Sequence, residues 1–167
     1  MKDAKQKKYQ MFTIVRPTLS SDKATQLMQS MISLGPDEQL ESQTMNMQVL
    51  AYPIDRNKQG HLVVSNINAY PDNAYNIRRK MEIDENILRV LQLENDTIQS
   101  DSEKEGASNT YAFQVGEEFI KMISSYITKM GKISFARVMP PKEKRAIALA
   151  IKRLRYLALL PFRKQDV

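Results

Sequence analysis

The sequence predicts an α+β protein: a split β-α-β-β-α-β domain, then an acidic linker and a small basic helical domain. Three observations carry this. Over the first 94 residues, apolar and β-branched runs that read as strands alternate with stretches of helical periodicity. From Glu94 to Thr110 the composition shifts to Asn, Asp, Ser, Glu, Gln and Gly, with few apolar residues. Beyond that shift the pattern is helical and the charge strongly positive.

Tyr9–Val15 (Tyr-Gln-Met-Phe-Thr-Ile-Val) is the first strand, by its mixed apolar and β-branched content. Ser20 or Ser21 caps the following helix. There Ala24, Leu27, Met28, Met31 and Ile32 recur at the i, i+3, i+4, i+7, i+8 spacing of one buried face. Gly35-Pro36 stops it. A second strand ends in Val49–Ile54, the polar stretch Asp55–Gly60 reads as a turn, and His61–Ile67 is the third strand. Pro71 opens a second helix that runs to about Lys80, and Asn86–Leu93 is the fourth strand. This order is that of ferredoxin-like folds, in which two helices pack on one face of a four-stranded antiparallel sheet. The expected domains are therefore residues 1–94, an acidic flexible linker at 95–110, and a helical domain at 111–167.

In that last part, Glu117–Met130 reads as a helix with Phe119, Ile120, Ile123, Ile127 and Met130 on one stripe, ended by Gly131. Pro140-Pro141 start the next helix, because proline is tolerated in a first turn. Ile147, Ala150, Ile151, Leu154 and Ala158 line one face of it, with Arg145, Lys152 and Arg155 largely away from that face. Two helices of this size bury too little to fold alone. Phe119, Ile123, Ile127, Ile147, Ile151 and Leu154 are therefore expected to pair with the tethered sheet domain, whose effective concentration is on the order of mM.

The charge is polarised. The chain carries a net +6, yet residues 1–93 hold 12 basic against 10 acidic side chains, and residues 131–167 hold 10 against 2. No acidic residue occurs between Glu143 and Asp166, where Lys144, Arg145, Lys152, Arg153, Arg155, Arg163 and Lys164 all lie. A helix face that needs only solubility mixes its signs. Uncompensated cations repel one another and are stable when a polyanion neutralises them. That anion is expected to be RNA. The candidate RNA-binding set is Lys132, Arg137, Lys142, Lys144, Arg145, Lys152, Arg153, Arg155, Arg163 and Lys164; Lys132 and Arg137 flank a short extended stretch. Phosphate contacts position a protein without reading sequence, so specificity is expected from RNA shape.

Other classes recede. Zero cysteines exclude disulfides and thiolate metal sites, and the single histidine, His61, removes most histidine-dependent arrangements. His61 reads as a plain strand residue. Arg16 precedes Pro-Thr-Leu-Ser-Ser, but no glycine-rich cradle follows and no nucleophile–base pair is present, which argues against an acylphosphatase-like enzyme. No catalytic residue, cofactor or metal is expected. No run approaches the roughly 18 apolar residues of a membrane span, and the Lys-rich start with Asp3 is unlike a secretory signal. The third strand lacks the aromatic pattern of base-stacking RNA-recognition motifs.

Residues 111–163, above all Tyr126–Phe162, resemble the bacterial-type small-subunit ribosomal protein numbered eighteen. The matching stretches are Tyr-Ile-Thr at 126–128, Gly-Lys-Ile at 131–133, Arg137, Lys142 with Arg145, and Ala-Ile-Lys-Arg-Leu-Arg-Tyr-Leu-Ala-Leu-Leu-Pro-Phe at 150–162. Residues 8–94 look like small-subunit ribosomal protein number six. That likeness rests on the first strand leading to Val15-Arg16-Pro17, on Leu50-Ala51-Tyr52-Pro53-Ile54, on Gly60 before the third strand, and on Asp84-Glu85-Asn86-Ile87-Leu88-Arg89. The paired resemblance implies a fusion of two proteins that bind each other on the platform of the small subunit and dock on the central domain of its rRNA. The partners it implies are that rRNA, neighbouring platform proteins and the other half of this chain, with no membrane. The implied location is a ribosome of the bacterial cytoplasm, the mitochondrial matrix or the plastid stroma. An RNA-binding regulator working off the ribosome is the alternative.

Overall fold

The computed structural model describes residues 5–94 and 115–163; the linker at 95–110 and Lys164 lie outside them. The elements are β1 (Lys7–Val15), α1 (Ser21–Met31), β2 (Gln39–Ile54), β3 (Asn57–Ala69), α2 (Pro71–Ile83), β4 (Ile87–Glu94), α3 (Glu117–Ser124) and α4 (Pro141–Tyr156). The chain divides into two compact units. One draws on Met1–Gln48 and Gln59–Glu103, the other on Val49–Lys58 and Lys104–Val167.

The expected β-α-β-β-α-β order holds, in a four-stranded sheet of order β2-β3-β1-β4. β1 sits between β3 and β4 and is antiparallel to both, with Thr13 opposite Val63 on one side and Val90 on the other. A bulge between Ile14 and Val15 shifts its register against β4. β1 is an inner strand of the sheet and, from Met11 onward, shows none of the polar–apolar alternation of a half-solvated strand. Accordingly Met11, Phe12, Thr13, Ile14 and Val15 are all buried.

On one face, alternate strand residues Tyr9, Met11, Val15, Val63 and Ile67 form a core with Ala24 and Met28 of α1 and Ala74, Ile77 and Met81 of α2. Full burial of each large side chain there contributes about 1.5–3 kcal/mol. Thr13 lies among them and directs its hydroxyl to the Met81 sulfur at 3.8 Å. The helical periodicity read from the sequence thus selects the right face of α1. Ser20 is its N-cap, although its side chain makes no capping bond. α1 ends at Met31, ahead of Gly35, whose amide instead serves Glu38.

Glu38 fastens the α1–β2 loop to the start of α2. Its carboxylate accepts from the Gly35 amide at 2.7 Å, the Tyr70 amide at 2.8 Å and the Asn73 side chain. Burial alone would raise its pKa, but the three donated bonds outweigh that and hold it below the ordinary glutamate value.

The Asp55–Gly60 turn is shorter than the sequence implies. The reversal takes only Asp55 and Arg56, both at positive φ (46° and 67°), and β3 starts at Asn57. Positive φ at both central residues is the backbone of a tight hairpin turn whose twist suits its strands. The Asn57 amide group steadies it by donating to the Ile54 and Asp55 carbonyls. Gly60 belongs to the strand. A Cβ there would meet Ile14 Cγ2 at 2.8 Å and the Val15 carbonyl oxygen at 3.1 Å, so close approach rather than turning explains it. His61 is buried in β3, where its Nε2 lies 2.9 Å from the Leu19 carbonyl. α2 runs to Ile83, three residues beyond the expected end, with Arg78 paired to Glu82 one turn on and Lys80 donating to Ser33.

Candidate nucleic-acid interface

The basic C-terminal part is built from α3, a small hairpin and α4. The helix expected over Glu117–Met130 stops at Ser124. Past that point the chain folds into a turn-closed hairpin. Ile127 bridges Ile133, the Thr128 amide donates to the Lys132 carbonyl at 2.9 Å, and the Gly131 amide donates to the Thr128 carbonyl at 2.9 Å. Gly131 has φ 79°, which completes the pattern of a three-residue loop closed by a left-handed glycine. The β-branched pair Ile127-Thr128 followed three residues later by Gly131 is the signal that the i, i+4, i+7 spacing of Ile123, Ile127 and Met130 obscures. Met130 consequently leaves the apolar stripe and is 74% exposed. Tyr126 and Phe135 flank the hairpin with ring centroids 6.2 Å apart.

α4 begins as expected, with Pro140 as N-cap, Pro141 in the first turn and Glu143 favouring the dipole's positive end. Ile147, Ala150, Ile151 and Leu154 form its buried face. Ala158 falls beyond the helix rather than on its stripe. It takes φ 52° while its amide donates to the Arg155 carbonyl, and the Leu159 amide donates to the Leu154 carbonyl at 2.9 Å. This is a Schellman ending with alanine in the position that glycine usually fills. Phe119, Ile123, Ile127, Ile147, Ile151 and Leu154, the six residues expected to seek a partner surface, are all buried.

The structure redistributes the predicted cations. Lys132, Arg137, Lys142, Arg145, Lys152 and Arg163 are exposed, while Lys144, Arg153 and Arg155 are half-buried. Arg153 is partly desolvated, and burial lowers its pKa from the ordinary arginine value. The Lys144 ammonium lies 3.5 Å from the Arg137 carbonyl. On α4, Lys142, Arg145 and Lys152 share their exposed stripe with Leu149 and Tyr156, which are 48% and 43% exposed.

Arg155 differs from the other cations. Its place in the helix puts it at the margin of the buried face, and its guanidinium is engaged within the chain. Nη2 donates to the Gly131 carbonyl at 2.6 Å and lies 3.4 Å from the Phe162 carbonyl, while Nε lies 3.3 Å from the Pro161 carbonyl. The same group sits 5.6 Å from the Phe162 ring centroid. Arg155 is therefore a fork that holds the hairpin and the C-terminal segment to α4. The hairpin tip of β2 and β3 joins this cluster. The Ala51 amide donates to the Ala158 carbonyl at 2.7 Å, the Tyr52 hydroxyl donates to the Arg155 carbonyl at 2.6 Å, and Tyr52 packs on Phe162 at 5.6 Å. Lys129, exposed at the tip of the 126–134 hairpin, is absent from the predicted set and becomes visible only once that stretch is a turn.

No group of three or more His, Cys, Asp or Glu side chains among the described residues is placed to hold a metal ion.

Residues 8–94 match a family model described as ribosomal protein S6, more than half of the chain. The small ribosomal subunit protein bS6 of the Onion yellows phytoplasma is 31% identical over 88 residues, covering 51% of this chain and 93% of the relative. Its counterpart in Rickettsia canadensis is 27% identical over 96 residues, covering 56% and 79%. That of Sulfurimonas denitrificans is 28% identical over 92 residues, covering 53% and 67%. A crystal structure of 30S ribosomal protein S6 from Thermotoga maritima overlays on 54% of this chain and 88% of its own, with a TM-score of 0.48 and 16% identity. With its matched region spanning β1 to β4, this chain belongs to the ribosomal protein S6 family.

Proposed function

We propose that the chain is a structural constituent of the small ribosomal subunit. In this reading residues 1–94 are a module of the protein-six type, joined through the linker at 95–110 to a module of the protein-eighteen type at 111–167. The C-terminal module grips small-subunit rRNA on the platform. The family is structural rather than enzymatic. No helix among the described residues is long and apolar enough to cross a membrane.

The observation that carries the RNA assignment is the set of exposed cations Lys132, Arg137, Lys142, Arg145, Lys152 and Arg163, in a stretch whose one acidic residue is Glu143. The half-buried Lys144 and Arg153 add positive potential behind them. Intramolecular pairing of the two modules is supported by the bonds from Ala51 and Tyr52, both within the family-matched region, to backbone carbonyls at the end of α4.

The test is sedimentation of cell extracts that contain the full chain. One full-length polypeptide should travel with small ribosomal subunits, placing it in a ribosome. With purified chain, six neutralised phosphates give a log–log salt slope of about −4 to −5 for binding to small-subunit rRNA. Free chain at the top of the gradient, away from the particles, would defeat the ribosomal reading and favour a regulator acting elsewhere.

A further inference from the structure

We propose that the tip of the 126–134 hairpin, formed by Lys129, Met130 and Lys132, extends the RNA contact: Lys129 joins Lys132 in holding adjacent phosphates, and the methionine covers a base or ribose face. This deepens the RNA-binding reading above and rests on it.

The tip is built to hold its shape. Two backbone bonds close the loop, and the Lys132 amide also lies 3.1 Å from the Thr128 hydroxyl. Gly131 cannot accept a side chain, because a Cβ there would fall 1.9 Å from the Phe162 carbonyl oxygen. Its own carbonyl is fixed by Arg155 at 2.6 Å. A loop pinned at both ends loses little freedom when it binds, so its exposed side chains are presented ready for use.

What the tip presents is unusual for a turn. Positions in such loops favour Asn, Asp, Ser or Gly, which satisfy local backbone groups. Here they hold Lys129 and Met130, and Met130 is 74% exposed. Folding gains nothing from an apolar side chain held in water, whereas a ligand that covers it does. The flanking Lys129 and Lys132 are also exposed, so that ligand must be anionic beside its apolar surface. RNA has this character, with phosphates spaced along unstacked bases and sugars. Charge complementarity selects RNA over an apolar protein groove. One methionine falls far short of the two anchoring signals that stable membrane attachment requires.

The experiment titrates the full chain with an in vitro transcript of small-subunit rRNA across a salt series, beside the double variant Lys129→Gln/Lys132→Gln and the single variant Met130→Ser. The salt slope does not depend on what fraction of the protein is active, so partial misfolding cannot imitate its change. The double variant should flatten the slope by about 1.4–1.8, the equivalent of two phosphates. Met130→Ser should weaken binding about five-fold at every salt concentration and leave the slope alone. A steep wild-type slope that the double variant retains overturns the tip as a phosphate contact. Wild-type affinity in Met130→Ser overturns the apolar contact. A flat slope in the wild-type chain removes the RNA-binding reading itself. Capture of the wild-type chain by phosphatidylserine vesicles, lost in the same variants, reassigns the tip to lipid.

Discussion

In the sheet unit, Met11, Val15, Ala24, Met28, Ile77 and Met81 interlock through alternating strand residues and helical stripes. In the C-terminal unit, a single guanidinium reaches carbonyls of Gly131, Pro161 and Phe162 that no ladder of secondary structure satisfies. The first arrangement spreads its stabilisation over many non-directional contacts. The second concentrates it in a few directional ones. Apolar packing yields by degrees when one side chain shrinks, whereas a fork of hydrogen bonds fails at a stroke and leaves its acceptors unpaired. Sensitivity to single changes should therefore be more sharply localised in the C-terminal unit, at positions other than its exposed cations.

Gly131→Ala is the severest test of that contrast. The added methyl would lie 1.9 Å from the Phe162 carbonyl oxygen on a residue with φ 79°, so both the backbone and the segment at Phe162 must move. Steric displacement and left-handed strain together cost about 3–4 kcal/mol. Hydrogen exchange of the 126–134 amides should accelerate by two orders of magnitude or more, with β1 and β3 amides little changed. Unaltered protection in the hairpin would show that the glycine is not its keystone.

Arg155 sharpens the same comparison against its neighbour on α4. Arg155→Ala should destabilise the C-terminal unit by about 2–3 kcal/mol, as expected when carbonyls lose a charged donor. Arg155→Lys should rescue little, because an ammonium lacks the planar fork. Lys152→Ala, at an exposed position, should stay within about 0.5 kcal/mol. Urea midpoints for the three variants decide it, and equal losses at 152 and 155 would erase the distinction between clamp and surface.

These two residues also mark where sequence reading stops. α1 was legible because a buried helix face imposes a 3.6-residue period on its apolar residues, β1 because its run is apolar and β-branched, and α2 because a proline opens it. The Asp55–Arg56 turn was not, since positive φ there is borne by residues that seldom adopt it, and Gly60 drew attention to the wrong place. The hairpin at 126–134 mimics a helix because Ile123, Ile127 and Met130 happen to keep helical spacing. The cationic character of α4 was plain. Which cation serves the fold was not, because Arg155 finds its acceptors on segments 6, 7 and 24 residues away.

Glu38 carries the comparison into the sheet unit, as that unit's own directional knot. Its folded pKa lies below the ordinary value of 4.5, so its contribution is present above that value and is lost as pH falls through the folded one. Glu38→Gln should cost about 1–2 kcal/mol at pH 7. The wild-type advantage over the variant should narrow as pH falls from the ordinary value of 4.5 through the lower folded one. An advantage that stays constant over that window would mean the carboxylate's charge is irrelevant to the loop.

The smallest expected effect lies at Ala158, where two terms of similar size oppose each other. Glycine would relieve the left-handed strain at φ 52°, worth about 1 kcal/mol. It would also remove a fully buried methyl, worth about 0.8 kcal/mol. Ala158→Gly should consequently shift stability by less than about 0.5 kcal/mol in either direction, a change that urea midpoints resolve when measured in parallel with wild type. A gain above 1 kcal/mol would show that the methyl packs against nothing of consequence. A loss of that size would show that burial, rather than the Schellman geometry, fixes this helix end, and would bring the C-terminal unit closer to the sheet unit's way of holding itself together.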